Sequence, residues 1–174
     1  MMKKYLLTGL FIWISLAASA QDIISMFLDK HGKDDNLEII SIGKKMMEMM
    51  DTLTFNSPDL KEAIKGLDAI RIVSSKDMDV NKEYFNSAQK LLSGCKGLKE
   101  IFSTDDKEKE LMVMVRELKG IIKELILLTE QTDIFNLISI SGTIDLDVLL
   151  KYSEGLNIKN IKDLNLLRSA KSNK

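Results

Sequence analysis

Asp77, Asp79 and Asn81 come nearest to a recognisable chemical motif in this chain, because their alternate spacing matches the opening of a calcium loop. The continuation does not supply the remaining oxygens. Lys82 stands at the sixth position, where the loop turns on a glycine, and Ala88 at the twelfth, where a glutamate would bind with both oxygens. Helix capping is the better reading of these residues. Met46, Met47, Met49 and Met50 carry thioether sulfurs, soft ligands suited to Cu(I). Their spacing is also that of a helix face turned to a core or a partner, and methionine packs adaptably, so we read them as packing. His31 is the single histidine, which excludes a multi-histidine metal site and makes it the sole base a serine triad could recruit. Beside Gly32 at a helix end, it reads as structural or solvent-exposed, complementing the helix dipole. Cys95 is the single cysteine, so the chain forms no internal disulfide. Lys96 would favour its thiolate, but a partly buried position at a helix end is the simpler reading.

No G-x-S-x-G, phosphate-binding loop or dinucleotide fingerprint occurs in the sequence. These readings assign no catalytic, cofactor-binding or metal-ligating residue, and the expectation is a protein that is not an enzyme and carries no cofactor.

The first twenty residues set the address. Met1, Met2, Lys3 and Lys4 form a positive start, Tyr5 to Leu16 is almost wholly apolar, and Ala18 and Ala20 are small residues at the two positions a signal peptidase reads. The apolar run is shorter than the roughly 20 residues a membrane-spanning helix needs. Cleavage is expected after Ala20, giving residues 1–20 as a signal peptide and 21–174 as one domain with a short polar C-terminal tail. Gln21, and not a cysteine, would then begin the mature chain, which closes the route to a lipid anchor. The product is expected to be soluble, in the periplasm or outside the cell, with no membrane span.

Removal of Lys3 and Lys4 takes the 25 basic side chains to 23 against 26 acidic ones, a net charge of −3. That balance argues against a nucleic-acid partner, which would demand a basic patch to neutralise phosphates. Trp13 leaves as well, and Tyr84 and Tyr152 are the tyrosines that stay. Paired carboxylates of the glycosidase kind need no motif, but so few aromatic faces give a sugar little to stack on.

The elements that would position these residues follow from periodicity. Ile23, Ile24, Phe27 and Leu28 share one face of a short helix over residues 22–30, ended by His31-Gly32-Lys33-Asp34-Asp35. Residues 37–42 suit a strand. From Gly43 a helical stripe of Met46, Met49, Met50 and Leu53 leaves Lys44, Lys45 and Glu48 more exposed. Ser57-Pro58-Asp59 starts a further helix that stops at Gly66. A strand over 67–74 and a helix over 80–93, capped by Asp79, come next. Four β-like runs then follow, 98–103, 110–117, 121–129 and 134–142, separated by short breaks that include Thr104 to Lys107. Such breaks join antiparallel neighbours. Asp145 would cap a last helix carrying Leu146, Leu149 and Leu150, ended by Gly155, with an apolar-rich stretch over 156–167 beyond it. Helices early and strands late predict a single α+β domain, with a largely antiparallel sheet ending in a four-strand meander and helices packed on one face.

The run Leu137-Ile138-Ser139-Ile140-Ser141-Gly142-Thr143-Ile144-Asp145-Leu146 resembles the closing strand and helix start of the domain-of-unknown-function family numbered 4252. The passage of residues 37–50 from strand into Met-rich helix is similar to the opening of that family. The resemblance covers most of residues 22–165 and implies an exported domain of similar size, with no functional residue to carry over. The motif has a physical account of its own: side chains apolar on both faces, Gly142 allowing a bend and Asp145 capping a helix.

Export without catalytic residues leads to the expectation of a protein or peptide partner in the cell envelope, held at a sheet edge or groove. A small-ligand or lipid-binding module, with methionine and leucine lining a cavity between helices and sheet, is the alternative.

Overall fold

A computed structural model describes residues 22–54, 58–106, 109–131 and 133–147. The chain begins with α1 (Ile23–His31), capped by Asp22, whose Oδ1 accepts from the Ile24 amide at 3.2 Å. It continues through β1 (Glu38–Gly43), α2 (Lys44–Thr54), α3 (Pro58–Lys65) and β2 (Leu67–Ser75) to the long helix α4 (Met78–Gly94). Four consecutive strands complete the described order: β3 (Leu98–Asp106), β4 (Lys109–Leu118), β5 (Ile121–Gln131) and β6 (Ile134–Ile144). The six strands among the described residues form one antiparallel sheet, open among those residues, in the order β1-β2-β6-β5-β4-β3. The expected α+β class, the antiparallel sheet and the closing four-strand meander are all present.

Both faces of the sheet are apolar because the central strands carry large side chains at odd and even positions alike. Met112, Met114, Ile126, Leu128, Phe135 and Leu137 face α1 and α4. Those two helices bury Ile23, Ile24, Phe27, Tyr84, Phe85, Ala88 and Leu92 against them. Each large side chain so removed from water contributes roughly 1.5–3 kcal/mol. On the opposite face Leu111, Val113, Leu125, Leu127, Ile138 and Ile140 are buried, and the described residues that join them from outside the sheet are Met47, Ile64 and Leu146.

Several boundaries differ from the sequence reading, each for a local reason. Asp77, two residues before Asp79, caps α4, with Oδ1 accepting from the Asp79 amide at 3.1 Å. β3 continues through Thr104, Asp105 and Asp106, because ladder pairing from Asp106↔Lys109 onward holds these polar residues in the strand. In α2 the phase of the methionines is shifted. Met47 is 5% exposed, whereas Met46 and Met49 are 54% and 64% exposed. The helix starts directly after β1, so the exit of that strand sets which side meets the sheet. Ser57, the helix expected after Asp145 beyond residue 147, the stretch 156–167 and the signal segment lie outside the described residues.

β6 ends at a close crossing. Gly142 has φ +131°, and the Thr143 amide donates to the Gly66 carbonyl at 2.6 Å. The pairing of β2 with β6 shifts register between Leu67 and Ala69 at this point. The bend expected at Gly142 is therefore a place where two backbones touch.

Candidate functional site

His31 lies within the core-facing ring cluster, 6% exposed, between Phe27 at 4.8 Å and Tyr84 at 5.2 Å from centroid to centroid. Its Nε2 is 2.8 Å from Ser87 Oγ on α4, and its Nδ1 is 3.4 Å from Asp34 Oδ2. This order of serine, histidine and aspartate is that of a nucleophilic triad. The surroundings are those of a tie between helices. Ser87 is mid-helix, where neighbouring amides are spent on helical bonds and none is free to cradle an oxyanion. Lys30 Nζ also donates to the same Oγ at 2.9 Å. Tyr84 Oη donates to Asp34 Oδ2 at 3.1 Å, closing a polar chain that staples α1 and its following turn to α4.

Burial, first, and then the hydrogen bond to Asp34 and its charge push the Tyr84 phenol up from 10.0 to about 12. A folded value above the unfolded one means that the bond supports the fold fully below pH 10, and that this support is lost as pH rises through about 12. Alkaline denaturation should therefore show a pH-dependent loss of stability across that window, with a Tyr84 absorbance midpoint near 12. Tyr84→Phe should remove the dependence while leaving the free energy of urea unfolding at pH 7 within about 1 kcal/mol of the parent.

The calcium-like residues are dispersed. Asp77 gives one carboxylate oxygen to the Asp79 amide and accepts from Asn36 Nδ2 at 2.7 Å with the other. Asn81 points the opposite way, is 1% exposed and has no side-chain partner among the described residues. Among the described residues no cluster of three or more histidine, cysteine or acidic side chains is arranged to hold a metal. Cys95 is partly buried at the end of α4; burial raises its thiol above 9.0, Arg116 opposes the shift, and Glu124 adds to it. A raised value makes the thiol a poorer nucleophile at neutral pH, in keeping with its structural reading.

Two features stand out that the sequence reading did not locate. One is a cavity of about 460 Å³ on the face that carries α1 and α4. Its floor is made of small residues, Ala69, Ser139 and Ser141, and its walls carry Arg71, Arg116 and Lys123 with Asp22 and Glu124. Arg71 pairs with Asp22, and Arg116 Nε donates to Glu124 Oε2 at 2.9 Å. The register places Arg71 beside Ser139 and sets Ala69, Ser141, Glu124 and Arg116 along one row of four strands. Lys123 Nζ donates to Thr143 Oγ1 at 2.8 Å from the rim.

The other feature is the contrast between the two sheet edges. β3 carries the exposed charges Lys99 and Glu100 and a bulge between Glu100 and Phe102, devices that discourage a further strand. β1 has an unbroken register with β2 and no charge after Glu38. Ile39 and Ile40 point to opposite faces of the sheet and are 49% and 50% exposed. α2, with its exposed Met46 and Met49, follows immediately.

No helix among the described residues is long and apolar enough to cross a membrane. No curated relative and no solved structure matches the chain. A family model does match, over residues 29–152, which includes all six strands and α2, α3 and α4. The chain belongs to the family described as domain of unknown function (DUF4252).

Proposed function

We propose that this protein is an exported, non-catalytic binding domain that takes an extended segment of an envelope protein as an added strand on β1. The observation that carries the reading is an edge that no other strand among the described residues pairs with: a six-residue strand with isoleucines half exposed on both faces. Main-chain hydrogen bonds along such an edge supply affinity, and apolar side chains at alternate positions supply selectivity. Exposed methionines in the adjoining helix add an adaptable apolar margin. The charged, bulged β3 edge explains why one side of the sheet would be used.

The lipid-binding alternative has less support. The space between the helices and the sheet is filled by residues such as Phe27, Leu92, Ile126 and Leu128, each 0% exposed. The cavity of about 460 Å³ and a second hollow lined by Asp34, Asp35, Asn36 and Glu83 are both bordered mainly by polar and charged side chains.

Export is part of the proposal and has its own test. N-terminal sequencing of the protein recovered from the envelope or medium should begin at Gln21, with or without cyclisation of that residue. An intact Met1 on the exported form would contradict it. In the same cells, a photo-activated cross-linker placed at Ile40 should join the domain to a protein partner, and one placed at Ile101 on β3 should not. Adducts at both edges, or at Ile101 alone, would sink the strand-addition reading.

A further inference from the structure

The cations of this chain are almost all lysines, yet two of its three arginines, Arg71 and Arg116, line the same cavity. They come from β2 and β4, which are separated by β6 and β5, so their backbones lie roughly 14 Å apart across the sheet. Between them the floor is cut down to Ser139 and Ser141, which leaves space and brings hydroxyls, that of Ser141 donating to the Ala69 carbonyl at 3.5 Å and still able to accept. Arginine differs from lysine in presenting five donors in a planar fork suited to a carboxylate. The described bonds use Nη1 of Arg71, toward Asp22 and Ser25, and Nε and Nη1 of Arg116, toward Glu124 and the Lys96 carbonyl. Those contacts hold each guanidinium in place and account for some, not all, of its five donors. Lys123 makes three cations against two acids, an excess of a single positive charge. A volume of about 460 Å³ is within the ordinary range for small-molecule sites, about 300–1,000 Å³.

We infer that this cavity is a binding site for a small monoanionic carboxylic acid, with the carboxylate received by Arg71 and Arg116 and the polar body of the ligand resting on Ser139 and Ser141. The single excess charge favours a carboxylate over a phosphate dianion, which would meet Asp22 and Glu124 with an uncompensated negative charge. The acids also explain why the site does not simply collect any anion. Among the residues of the closing strand motif, Ser139 and Ser141 thereby gain a role distinct from the bend at Gly142. The site is on the helix-covered face and does not include β1, so it is independent of strand addition.

With three arginines in the chain, the side-chain Nε–H signals of a nitrogen-15 NMR spectrum can be followed individually. N-acetylglycine, titrated at constant ionic strength, should shift the Arg71 and Arg116 signals along one saturable curve and leave Arg168 unmoved. Inorganic phosphate should shift them less, and chloride should produce no saturable change. Arg71→Lys should weaken the N-acetylglycine curve by roughly tenfold or more, because a point charge replaces a fork. Ile40→Lys should leave it unchanged, so failure of the β1 reading would not disturb this result. Equal movement of all three arginines, a linear response without saturation, or a stronger response to phosphate would overturn the inference.

Discussion

Replacing Gly142 with alanine is expected to cost this protein a large fraction of its stability. A Cβ at that position would meet the Gly66 carbonyl oxygen at 2.4 Å, Leu67 Cα at 2.6 Å and the Asp68 amide nitrogen at 2.7 Å. All three are backbone atoms at the start of β2, so no side chain can swing aside. Relief requires β2 and β6 to part where the Thr143 amide reaches the Gly66 carbonyl. The backbone adds a second penalty, since φ +131° lies in a region that residues with a Cβ rarely adopt. Overpacking costs about 1–3 kcal/mol and backbone strain about 1–3 kcal/mol, which together make about 2–6 kcal/mol. A domain's whole stability is about 5–15 kcal/mol. The urea midpoint of Gly142→Ala should therefore fall far below that of the parent, or the variant should fail to fold. Gly94→Ala is the control, because nothing lies within 4 Å of the added methyl. That substitution should change stability by about 0.5 kcal/mol or less. A parental midpoint for Gly142→Ala would show that β2 and β6 do not approach as described.

The second large effect concerns binding. Ile39→Lys and Ile40→Lys together place two cations on the open edge, the same device that natural sheets use to keep edges from pairing. Both isoleucines are about half exposed, so the loss of apolar burial is small and folding should be little affected, by about 1 kcal/mol. Binding should suffer far more, because an added strand would have to bury both lysines beside its own side chains. Retention of the cross-linked partner by the double variant should drop by roughly tenfold or more. Ile101→Lys, on the opposite edge, supplies a matched apolar-to-cation change and should leave retention as it was. Equal losses in both variants would point to a general effect of surface charge.

How much of this was legible in the sequence depends on how far apart the contributing residues are. The helix over 22–30 could be read because Ile23, Ile24, Phe27 and Leu28 repeat locally, and all four do face the core cluster. The meander could be read because each of its strands pairs with its neighbour in sequence. The insertion of β6 beside β2 could not, since that pairing joins residues about seventy positions apart and the strands carry similar apolar patterns. The cavity depends on that same pairing. Arg71 meets Ser139 only once β2 lies against β6, so neither residue carries a local mark of the site. The scarcity of arginine in a lysine-rich chain is the one signal that could have drawn attention to it. The methionine stripe shows a different limit. Helical period was correct over residues 44–54, but period does not set phase, and Met47 rather than Met46 or Met49 meets the sheet.

The edge of β1 was equally hidden, because exposure of Ile39 and Ile40 follows from β1 being first in the sheet order and not from anything in residues 38–43 alone. Hydrogen exchange at this strand shows whether its outer edge takes up a partner. In the purified domain, the β1 amides that point away from β2 should exchange rapidly, while those paired with β2 are protected. On addition of the partner segment identified by cross-linking, the outward β1 amides should become protected and the amides of β3 should keep their rates. Partner binding that leaves the outward β1 amides as fast as before, or that protects β3 instead, would contradict strand addition.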